Sequence, residues 1–361
     1  MPLEINYCNL RGHESMLRDS VRCEAFRRAI VDTVTPGCAV LDIGAGTGIL
    51  SLFAAQAGAR VVYAVERTHI AEFAQRIVSE NGFGDRINVL QNDMETLKLP
   101  EKVDVIVSEW LGGYGVDENL LPVVVLARDR WLKPGGRLIP ETVTSWIVPA
   151  YDELLQQDVD FWSSEPYGID LNAIGQATAR QLDCGCNHVK QEHILCDPQL
   201  MWEVDAMAYS HEDANQPFRS RLEFVADRDG QFNALAAWFR AQLTKQIVLC
   251  NGPSERDTHW GRSIFPVGRT VSVERGMRVD VRFGLEPQGK GQSRATWAIE
   301  VEGYRFHSEG ITVLTEQNAA CRTLKDRDRG GRGTSLNNKI TEIGNVDTWL
   351  IKDVPEIYTG K

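Results

Sequence analysis

Val40-Leu-Asp-Ile-Gly-Ala-Gly-Thr-Gly48 is the stretch that decides the fold of this chain. A short apolar run ends in closely spaced glycines, and a helix-like segment from Ile49 to Gly58 follows at once. Glycines permit the tight turn by which a buried parallel strand passes directly into a helix. The stretch therefore predicts the first strand, turn and helix of a parallel α/β sheet.

The same alternation of elements continues downstream. Short apolar runs predict strands at 60–66, 87–90, 103–109 and 137–140, and helical patterns cover 70–80 and 120–131. Strands that alternate with helices through short connections form a parallel, doubly wound sheet. We therefore expect residues 1–141 to form a Rossmann-like α/β domain.

The pattern changes at Thr142. Alternating apolar and polar residues at 142–148, 269–273, 277–283 and 295–301 are typical of antiparallel strands. A polar stretch at about 151–205 predicts a helical insertion, and a polar, Gly-rich tail begins at about 322. We expect residues 142–361 to form a second, antiparallel β-barrel-like domain.

Composition and charge narrow the class of protein. The 361 residues, 43% hydrophobic and 25% charged, are typical of a globular chain of two domains. No apolar run approaches the roughly 18 residues of a membrane span, and no signal-like leader is visible, so we expect a cytoplasmic protein without a membrane partner. The net charge of -11 argues against nucleic acid as a partner and favours a cationic substrate.

The cysteines are scattered through the chain and are predicted to be free thiols. Cys184-Gly-Cys186 lies near His188, but its one-residue spacing is not the Cys-x2-4-Cys spacing of ordinary structural zinc sites. No metal is therefore expected.

The glycine turn has the features of a nucleoside site. Gly44-x-Gly-x-Gly48 lies between a predicted strand and a helix, and Glu66 ends the next strand 22 positions after Gly44. A carboxylate at this place can accept both hydroxyl groups of a ribose. The spacing is one residue tighter than the usual dinucleotide fingerprint, and the turn by itself is a weak signal. With Glu66, it favours a bound nucleoside cofactor.

Two glutamates, Glu109 and Glu118, follow the fourth strand, nine positions apart. We call residues 109–118 the two-glutamate loop. A pair of carboxylates suits a planar guanidinium, whose N–H donors match carboxylate oxygens two at a time. The loop therefore predicts that an arginine side chain binds beside the cofactor.

Five blocks of sequence resemble the protein arginine methyltransferase family. They are His13–Arg22, Val40–Leu50, Val103–Glu118, Ala127–Pro134 and Thr258-His-Trp260, in the family's order. The glycine block is shared with most methyltransferases, whereas the two-glutamate loop together with Thr258-His-Trp260 is specific to this family.

The resemblance implies S-adenosylmethionine as cofactor, the two domains described above, and a homodimer formed through the inserted arm. The cofactor-binding residues that it implies are His13, Met16, Arg22, Asp42, Gly44, Gly46, Glu66, Met94 and Glu95. Among these, Arg22 matches the arginine that pairs with the cofactor's carboxylate. Glu109 and Glu118 match the pair that grips the substrate, and Asp19 and His259 match a second catalytic pair.

Some residues that are expected near the substrate differ from those usual in the family. They leave open which molecule accepts the methyl group. Gly113 and Asp117 stand where aromatic residues are common, and Arg262 replaces a glutamine. We expect open space near the substrate at Gly113. We also expect three further residues to contact the substrate: Trp260, Arg262 and Asp117. The acceptor is then an arginine in a protein or, alternatively, free L-arginine, with Arg262 on its carboxylate and Asp117 on its amine.

Two further hypotheses follow from the same residues. A non-catalytic arginine-binding module is disfavoured because both glutamates, Arg22 and the glycine turn are present. Arg329-Gly-Gly-Arg-Gly333 in the tail resembles the sequences that such enzymes modify, so self-methylation is a second possible activity.

Overall fold

The computed structural model describes residues 10–289, 291–308 and 310–314. The tail predicted from about 322, with Arg329-Gly-Gly-Arg-Gly333, lies outside the described residues. Among the helices of the described part, none has the length and apolar character needed to cross a membrane.

A parallel sheet forms the first half of the chain. It follows two helices, α1 (Leu10–Arg18) and α2 (Ser20–Thr33). In chain order the elements are β1 (Ala39–Ile43), α3 (Ile49–Gln56), β2 (Val61–Glu66), α4 (Ile70–Glu80), β3 (Ile87–Gln91), β4 (Val103–Ser108), α5 (Leu121–Trp131) and β5 (Leu132–Ile139). The strands pair in the order β3-β2-β1-β4-β5, all parallel. This is the Rossmann-like sheet that the sequence predicts.

The strand order creates a crevice between β1 and β4. The chain runs outward from β1 through β2 and β3 and then returns to β4 on the other side of β1. At such a switch point the loops diverge and leave room for a ligand at the carboxyl ends of the strands. Ser108 Oγ donates to the Ile43 carbonyl over 2.9 Å and ties these two ends together. The residues that follow, Gly44 and Glu109, therefore lie beside the crevice.

Two antiparallel sheets make up the rest of the described chain. Its elements are β6 (Thr142–Ala150), α6 (Glu153–Ser163), α7 (Asn172–Thr178), β7 (Asp183–Cys186), β8 (Gln199–Asp205), β9 (Phe218–Val225), β10 (Gly230–Gln242), β11 (Val248–Cys250), β12 (Arg262–Val273), β13 (Arg278–Gly289), β14 (Gln292–Val301), β15 (Tyr304–His307) and β16 (Ile311–Leu314). One sheet has the order β7-β12-β10-β6-β8 with β11 beside β10, and the other β15-β14-β13-β9 with β16 beside β14. The antiparallel, barrel-like half is the one predicted from the sequence.

The helical arm is shorter than the insertion predicted at 151–205. It contains α6 and α7, which pack on each other. From Asp183 onward the chain returns to the sheet, where β7 pairs with β12 and β8 pairs with β6. Strand pairing uses backbone groups, so the short polar segment Asp183–Cys186 joins a sheet without an apolar pattern to reveal it.

An aromatic cluster fills the space between the two antiparallel sheets. The ring centroids of Phe265 in β12 and Phe283 in β13 lie 4.9 Å apart, and Trp297 in β14 lies 5.1 Å from Phe265. Tyr114 of the two-glutamate loop enters the cluster, 5.4 Å from Phe265. Its side chain is fully buried, and its hydroxyl has no hydrogen-bond partner in the described part of the chain. Tyr114 therefore anchors the loop by apolar packing.

Substitutions of Tyr114 test this packing role. We expect Tyr114→Phe to leave the free energy of unfolding unchanged or to raise it by about 1 kcal/mol, because a buried hydroxyl without a partner is removed. Tyr114→Ala should lower it by about 3–5 kcal/mol, because it leaves a cavity among the aromatic rings. Urea denaturation measures both values. Strong destabilisation by Tyr114→Phe would contradict the packing role.

Candidate active site

The glycine turn has the backbone geometry that its sequence requires. Gly44, Gly46 and Gly48 have φ angles of 70°, 54° and 83°, in the left-handed region that side chains other than glycine rarely adopt. The Gly46 N–H donates to Glu66 Oε2 over 3.0 Å. The turn between β1 and α3 is therefore joined directly to the carboxylate at the end of β2.

Glu66 is held in place by several donors. Its Oε1 accepts hydrogen bonds from the Thr68 amide over 2.9 Å and from the Thr68 hydroxyl over 2.8 Å. The Glu66 carbonyl accepts from the Asn92 amide, so the segment after β3 runs beside it. Of the two residues predicted in that segment, Met94 is buried in the core and Glu95 is exposed.

Asp42 and His13 lie against the same turn. Asp42 is fully buried, with Oδ2 accepting from Ser51 Oγ over 2.6 Å. Burial raises the pKa of Asp42 to about 6. A Cβ atom on Gly46 would lie 3.2 Å from Cε1 of His13, so the imidazole packs on the turn. Met16 lies half-buried one turn further along α1.

These residues fit S-adenosylmethionine, the cofactor that the resemblance implies. Asp42 Oδ1 is a buried acceptor that has no hydrogen-bond partner among the described residues. A buried acceptor without a donor is costly, and a ligand hydroxyl or ammonium group would satisfy it. Apart from its chain neighbours, no atom of the described residues lies within 4 Å of a Cβ placed on Gly44, which leaves room for a ligand to approach the backbone there.

Arg22 binds Glu109 in a nearly closed environment. Its Nε and Nη2 donate to Glu109 Oε2 over 3.2 and 3.0 Å. Burial lowers the pKa of Arg22, but the charges of Glu109 and Cys23 and the hydrogen bonds to both together outweigh burial, so its pKa is raised and it stays cationic. Glu109 Oε1 accepts from the Leu111 amide over 2.9 Å. The sequence did not predict this ion pair, because 87 positions separate the two residues.

The two-glutamate loop reverses direction at its centre. Gly112 and Gly115 form an isolated antiparallel bridge, with N–H···O distances of 2.9 and 3.3 Å. Glu109 and Glu118 lie equally far from this bridge, on its two sides. The reversal therefore brings the two ends of the loop, where the glutamates lie in the chain, back toward each other. Glu118 is half-buried.

Side chains of the antiparallel half hold the loop by its carbonyl groups. Trp260 Nε1 donates to the Leu111 carbonyl over 2.8 Å, and Trp260 itself is buried. The Gly113 carbonyl accepts from Asn251 Nδ2 over 2.9 Å and the Tyr114 carbonyl from Ser145 Oγ over 2.6 Å. Trp260 was predicted as a substrate contact, but the structure uses its indole to fix the loop. Asn251 and Ser145 have no motif that could have identified them.

Asp19 and His259 are in direct contact. Asp19 Oδ1 accepts from the Arg22 amide and caps α2, while Oδ2 lies 2.8 Å from both the His259 amide and Nδ1. Because a carboxylate only accepts, the Nδ1 proton of His259 points to Asp19. The pair thus joins the start of α2 to the segment before β12.

Burial and hydrogen bonding set the charges of this pair. Burial raises the pKa of Asp19, but hydrogen bonds from His259 and Arg22 outweigh it, so the net pKa is lowered. Burial lowers the pKa of His259, and the hydrogen bond to Asp19 only partly reverses this effect. At neutral pH we therefore expect an ionised Asp19 and a neutral His259.

The structure gives Arg262 a different role from the predicted one. Its side chain is 1% exposed. Nη2 donates to the Gly252 carbonyl over 2.7 Å and Nη1 to Asn187 Oδ1 over 2.9 Å, with Asp257 Oδ1 3.4 Å away. Arg262 therefore joins the loop before β12 to the chain after β7. This position gives no support to a contact with the carboxylate of a free amino acid, because the side chain is buried and both Nη atoms serve internal acceptors.

Gly113 and Asp117 also differ from expectation. A Cβ atom on Gly113 would lie 2.5 Å from Ser263 Oγ, so no space opens where the family has an aromatic residue. Asp117 is buried and accepts from amides of its own loop. The structure therefore gives no support to the expected contact between Asp117 and the amine of free arginine, because both oxygens bind backbone amides.

Three side chains of types that can bind a metal ion lie close together beside the start of α6. Donor atoms of Asp152, Cys186 and His188 lie within 4.8 Å of one another. Asp152 Oδ1 accepts from His188 Nε2 over 2.8 Å and from the amides of Leu154 and Leu155, which begin α6. Helix capping and a carboxylate–imidazole contact account for the Asp152 and His188 positions, so we assign no metal here.

The pH dependence of stability tests the state of His259. Its pKa is lower in the folded chain than the value of about 6.5 in an unfolded chain, so stability should fall as pH drops below about 6.5. One such group contributes at most about 1.4 kcal/mol per pH unit. We expect His259→Gln to lose less stability than the wild type between roughly pH 7.5 and 5.5. Urea denaturation at both pH values measures the difference.

His211→Gln is the matched control, because His211 is exposed. This variant should show the pH dependence of the wild type. Equal slopes for all three proteins would contradict a lowered pKa for His259.

Two family models match this chain. The model described as a methyltransferase domain matches residues 40–136, which hold the glycine turn and β1 to β4. The model described as the arginine methyltransferase oligomerization subdomain matches residues 141–309, which hold the antiparallel sheets and the arm.

Known proteins resemble the chain over most of its length. It is 37% identical over 323 residues to protein arginine N-methyltransferase 6 of Danio rerio, covering 85% of this chain and 91% of the relative. It is 35% identical over 292 residues to protein arginine N-methyltransferase 1.1 of Arabidopsis thaliana, covering 79% and 74%. A solved Trypanosoma brucei PRMT1 enzyme-prozyme complex with AdoHcy matches with a TM-score of 0.76 and 26% identity, over 85% of this chain and 99% of that one. The chain belongs to the protein arginine N-methyltransferase family.

Proposed function

We propose that the chain transfers a methyl group from S-adenosylmethionine to a guanidino nitrogen of arginine residues in proteins, with Glu109 and Glu118 gripping the guanidinium. The observation that carries the proposal is the position of the two-glutamate loop, one residue beyond β4 and beside the glycine turn of β1. The relative from Trypanosoma brucei is a complex with AdoHcy, the demethylated form of this cofactor.

The glutamates account for activation of the acceptor. A guanidinium is protonated at neutral pH, so its nitrogens are poor nucleophiles. Two carboxylates draw the positive charge toward the nitrogens that they hold and leave electron density on the third. When bound, the cofactor supplies an electrophilic methyl group on sulfur. Positioning is the main contribution of the protein, since well-oriented groups react at effective molarities of about 10⁵–10⁸ M.

Arg22 supports both halves of the site. Two of its donors hold Glu109, and its remaining N–H groups are suited to the carboxylate of the cofactor. A cation shared by the cofactor and Glu109 would make the orientation of Glu109 depend on a filled cofactor site. The proton released from the guanidinium has two acceptors of suitable type, Glu118 and neutral His259 with Asp19 behind it.

Free L-arginine is the alternative methyl acceptor, and the structure gives this alternative less support than the sequence did. It depended on Arg262 and Asp117, both of which are buried and bonded internally. Protein arginine needs neither contact, because the peptide backbone replaces the free carboxylate and amine.

Methyl transfer to two acceptors tests the proposal. With labelled cofactor, we expect an Arg-Gly-Gly peptide to be methylated and free L-arginine to remain unlabelled. Glu118→Gln should lower kcat about 10²–10³-fold, as the loss of one preorganised electrostatic contact does in other enzymes. Glu118 is the better probe because Glu109 also holds Arg22.

Glu212→Gln, in which the original glutamate is exposed, serves as the control and should keep full activity. Labelling of free arginine alone would favour the biosynthetic alternative. Arginine binding without turnover would revive the non-catalytic module, and full turnover by Glu118→Gln would contradict the role of Glu118.

We further propose that α6 and α7 form the contact surface of a homodimer. Their segment exposes large apolar side chains: Phe161 is 53% exposed, Tyr167 99% and Ile169 58%. The matching oligomerization model includes these residues. Clustered apolar groups on an otherwise polar arm are typical of a protein–protein contact.

Charge introduced into the arm should separate the dimer. We expect Phe161→Glu with Ile169→Arg to convert a dimer into a monomer, because both charges would lose water on association. Light scattering after gel filtration measures the mass. Val225→Arg alters an equally exposed apolar residue on β9 and should remain dimeric. A dimer that survives the double substitution would rule out the arm as the contact surface.

A further inference from the structure

Asp117 is a buried carboxylate inside the two-glutamate loop, next to Glu118 in the chain. Its exposed fraction is 3%, although aspartate is rarely so buried without a charged partner. The ion pairs among the described residues include none to Asp117. Burial raises its pKa to about 6, so the group is ionised at roughly pH 8, where it acts only as an acceptor.

Two consecutive backbone amides of the loop bind this carboxylate. The Gly113 N–H donates to Oδ2 over 3.0 Å, and the Tyr114 N–H donates to Oδ1 over 3.0 Å. Both oxygens are therefore used, one for each amide at the tip of the loop. Hydrogen bonds to an ionised acceptor are stronger than those between neutral groups. An asparagine in place of Asp117 could not accept both hydrogen bonds, because its NH₂ group would face one of the two N–H donors.

Gly112 is matched to the same carboxylate. A Cβ atom on Gly112 would lie 2.3 Å from Oδ1 and 2.5 Å from Oδ2 of Asp117. Real Cβ atoms do not approach other atoms so closely, and Asp117 is too buried to move aside. The carboxylate therefore fills the space inside the reversal that Gly112 and Gly115 close.

From these contacts we propose that Asp117 is a positioning residue for the two glutamates. It binds the amides at the tip of the loop, while barrel side chains bind the carbonyls of Leu111, Gly113 and Tyr114. The tip is thus held from inside and from outside, and Glu109 and Glu118 extend from its two ends. Asp117 acts through the loop and touches neither substrate nor cofactor. The proposal rests on the proposed function, since it assigns Asp117 to that same site.

Asp117→Asn is the primary test. At roughly pH 8 we expect kcat for the Arg-Gly-Gly peptide to fall about 10- to 100-fold, as happens when reacting groups are slightly misplaced. AdoHcy affinity, measured by calorimetry, should stay within about threefold of wild type, because the glycine turn and Glu66 are untouched. Deuterium exchange should become faster in the peptide that contains Gly113 and Tyr114.

Asp205→Asn is a matched control. Asp205 Oδ1 also accepts from two consecutive amides, those of Met207 and Ala208, but it lies exposed at the end of β8. This variant should keep the wild-type kcat. It controls for the general effect of removing a carboxylate that caps backbone amides.

A double-substitution cycle keeps the test valid if one variant folds poorly. Gly112→Ala should reduce kcat because its methyl group displaces the Asp117 carboxylate. With Asp117→Ala already present, that space is empty, and adding Gly112→Ala should reduce kcat by less than about threefold further. If the losses of kcat in Gly112→Ala and Asp117→Ala are fully additive, the proposed fit between Gly112 and the Asp117 carboxylate is overturned.

The outcomes separate this proposal from the proposed function. A wild-type kcat in Asp117→Asn, or a parallel loss of AdoHcy affinity, would overturn the positioning role. Unchanged deuterium exchange would overturn it as well. If the wild type methylates no acceptor, the proposed function fails, and the exchange comparison alone then decides whether Asp117 holds the loop.

Discussion

Hydrogen bonds from the antiparallel half to three loop carbonyls decide where the two glutamates lie. Trp260, Asn251 and Ser145 supply the donors, and the acceptors belong to consecutive parts of the loop after β4. These donors are largely buried, so water does not compete for the carbonyls, and each lost bond would leave a buried acceptor unpaired. The two carboxylates proposed to bind the substrate follow a strand of the parallel half, but their geometry depends on the other half. Neither half forms the site alone.

Charged side chains are concentrated around a crevice that is mostly closed to solvent, and each is compensated in a different way. Arg22 and Glu109 neutralise each other, Asp19 binds a helix amide and an imidazole, and Glu66 binds amides and a hydroxyl. Asp42 retains one oxygen without a partner among the described residues. Burying charge costs free energy, and a protein that only needed stability would do better with apolar residues. The concentration of charge therefore agrees with the proposed binding of a charged cofactor and a guanidinium.

Within the candidate site, most differences between expectation and structure lie on the substrate side. The glycine turn and Glu66 contact each other as the motifs indicated, because they belong to consecutive strands of one α/β unit. The Asp19–His259 contact joins residues 240 positions apart, and the family resemblance had implied it. Arg262 was expected at the substrate but lies buried between Asn187 and Gly252. The sequence shows that Arg262 is a cation that needs acceptors. It does not show that distant segments would supply them. Residue type also did not identify the partners of Asp117, which are the amides of its own loop.

The sequence by itself determined the parallel sheet, its glycine turn, the change to antiparallel strands and the pair of glutamates. These features depend on residues that are close in the chain: apolar periodicity, glycine at left-handed φ angles, and short connections. Only the tertiary structure decided the Arg22–Glu109 ion pair, the bonds that hold the loop, and the roles of Trp260, Arg262 and Asp117. Except for the bonds of Asp117 within its own loop, these contacts join segments far apart in the chain. Their energies depend on burial and on the partners present, which a local pattern does not contain.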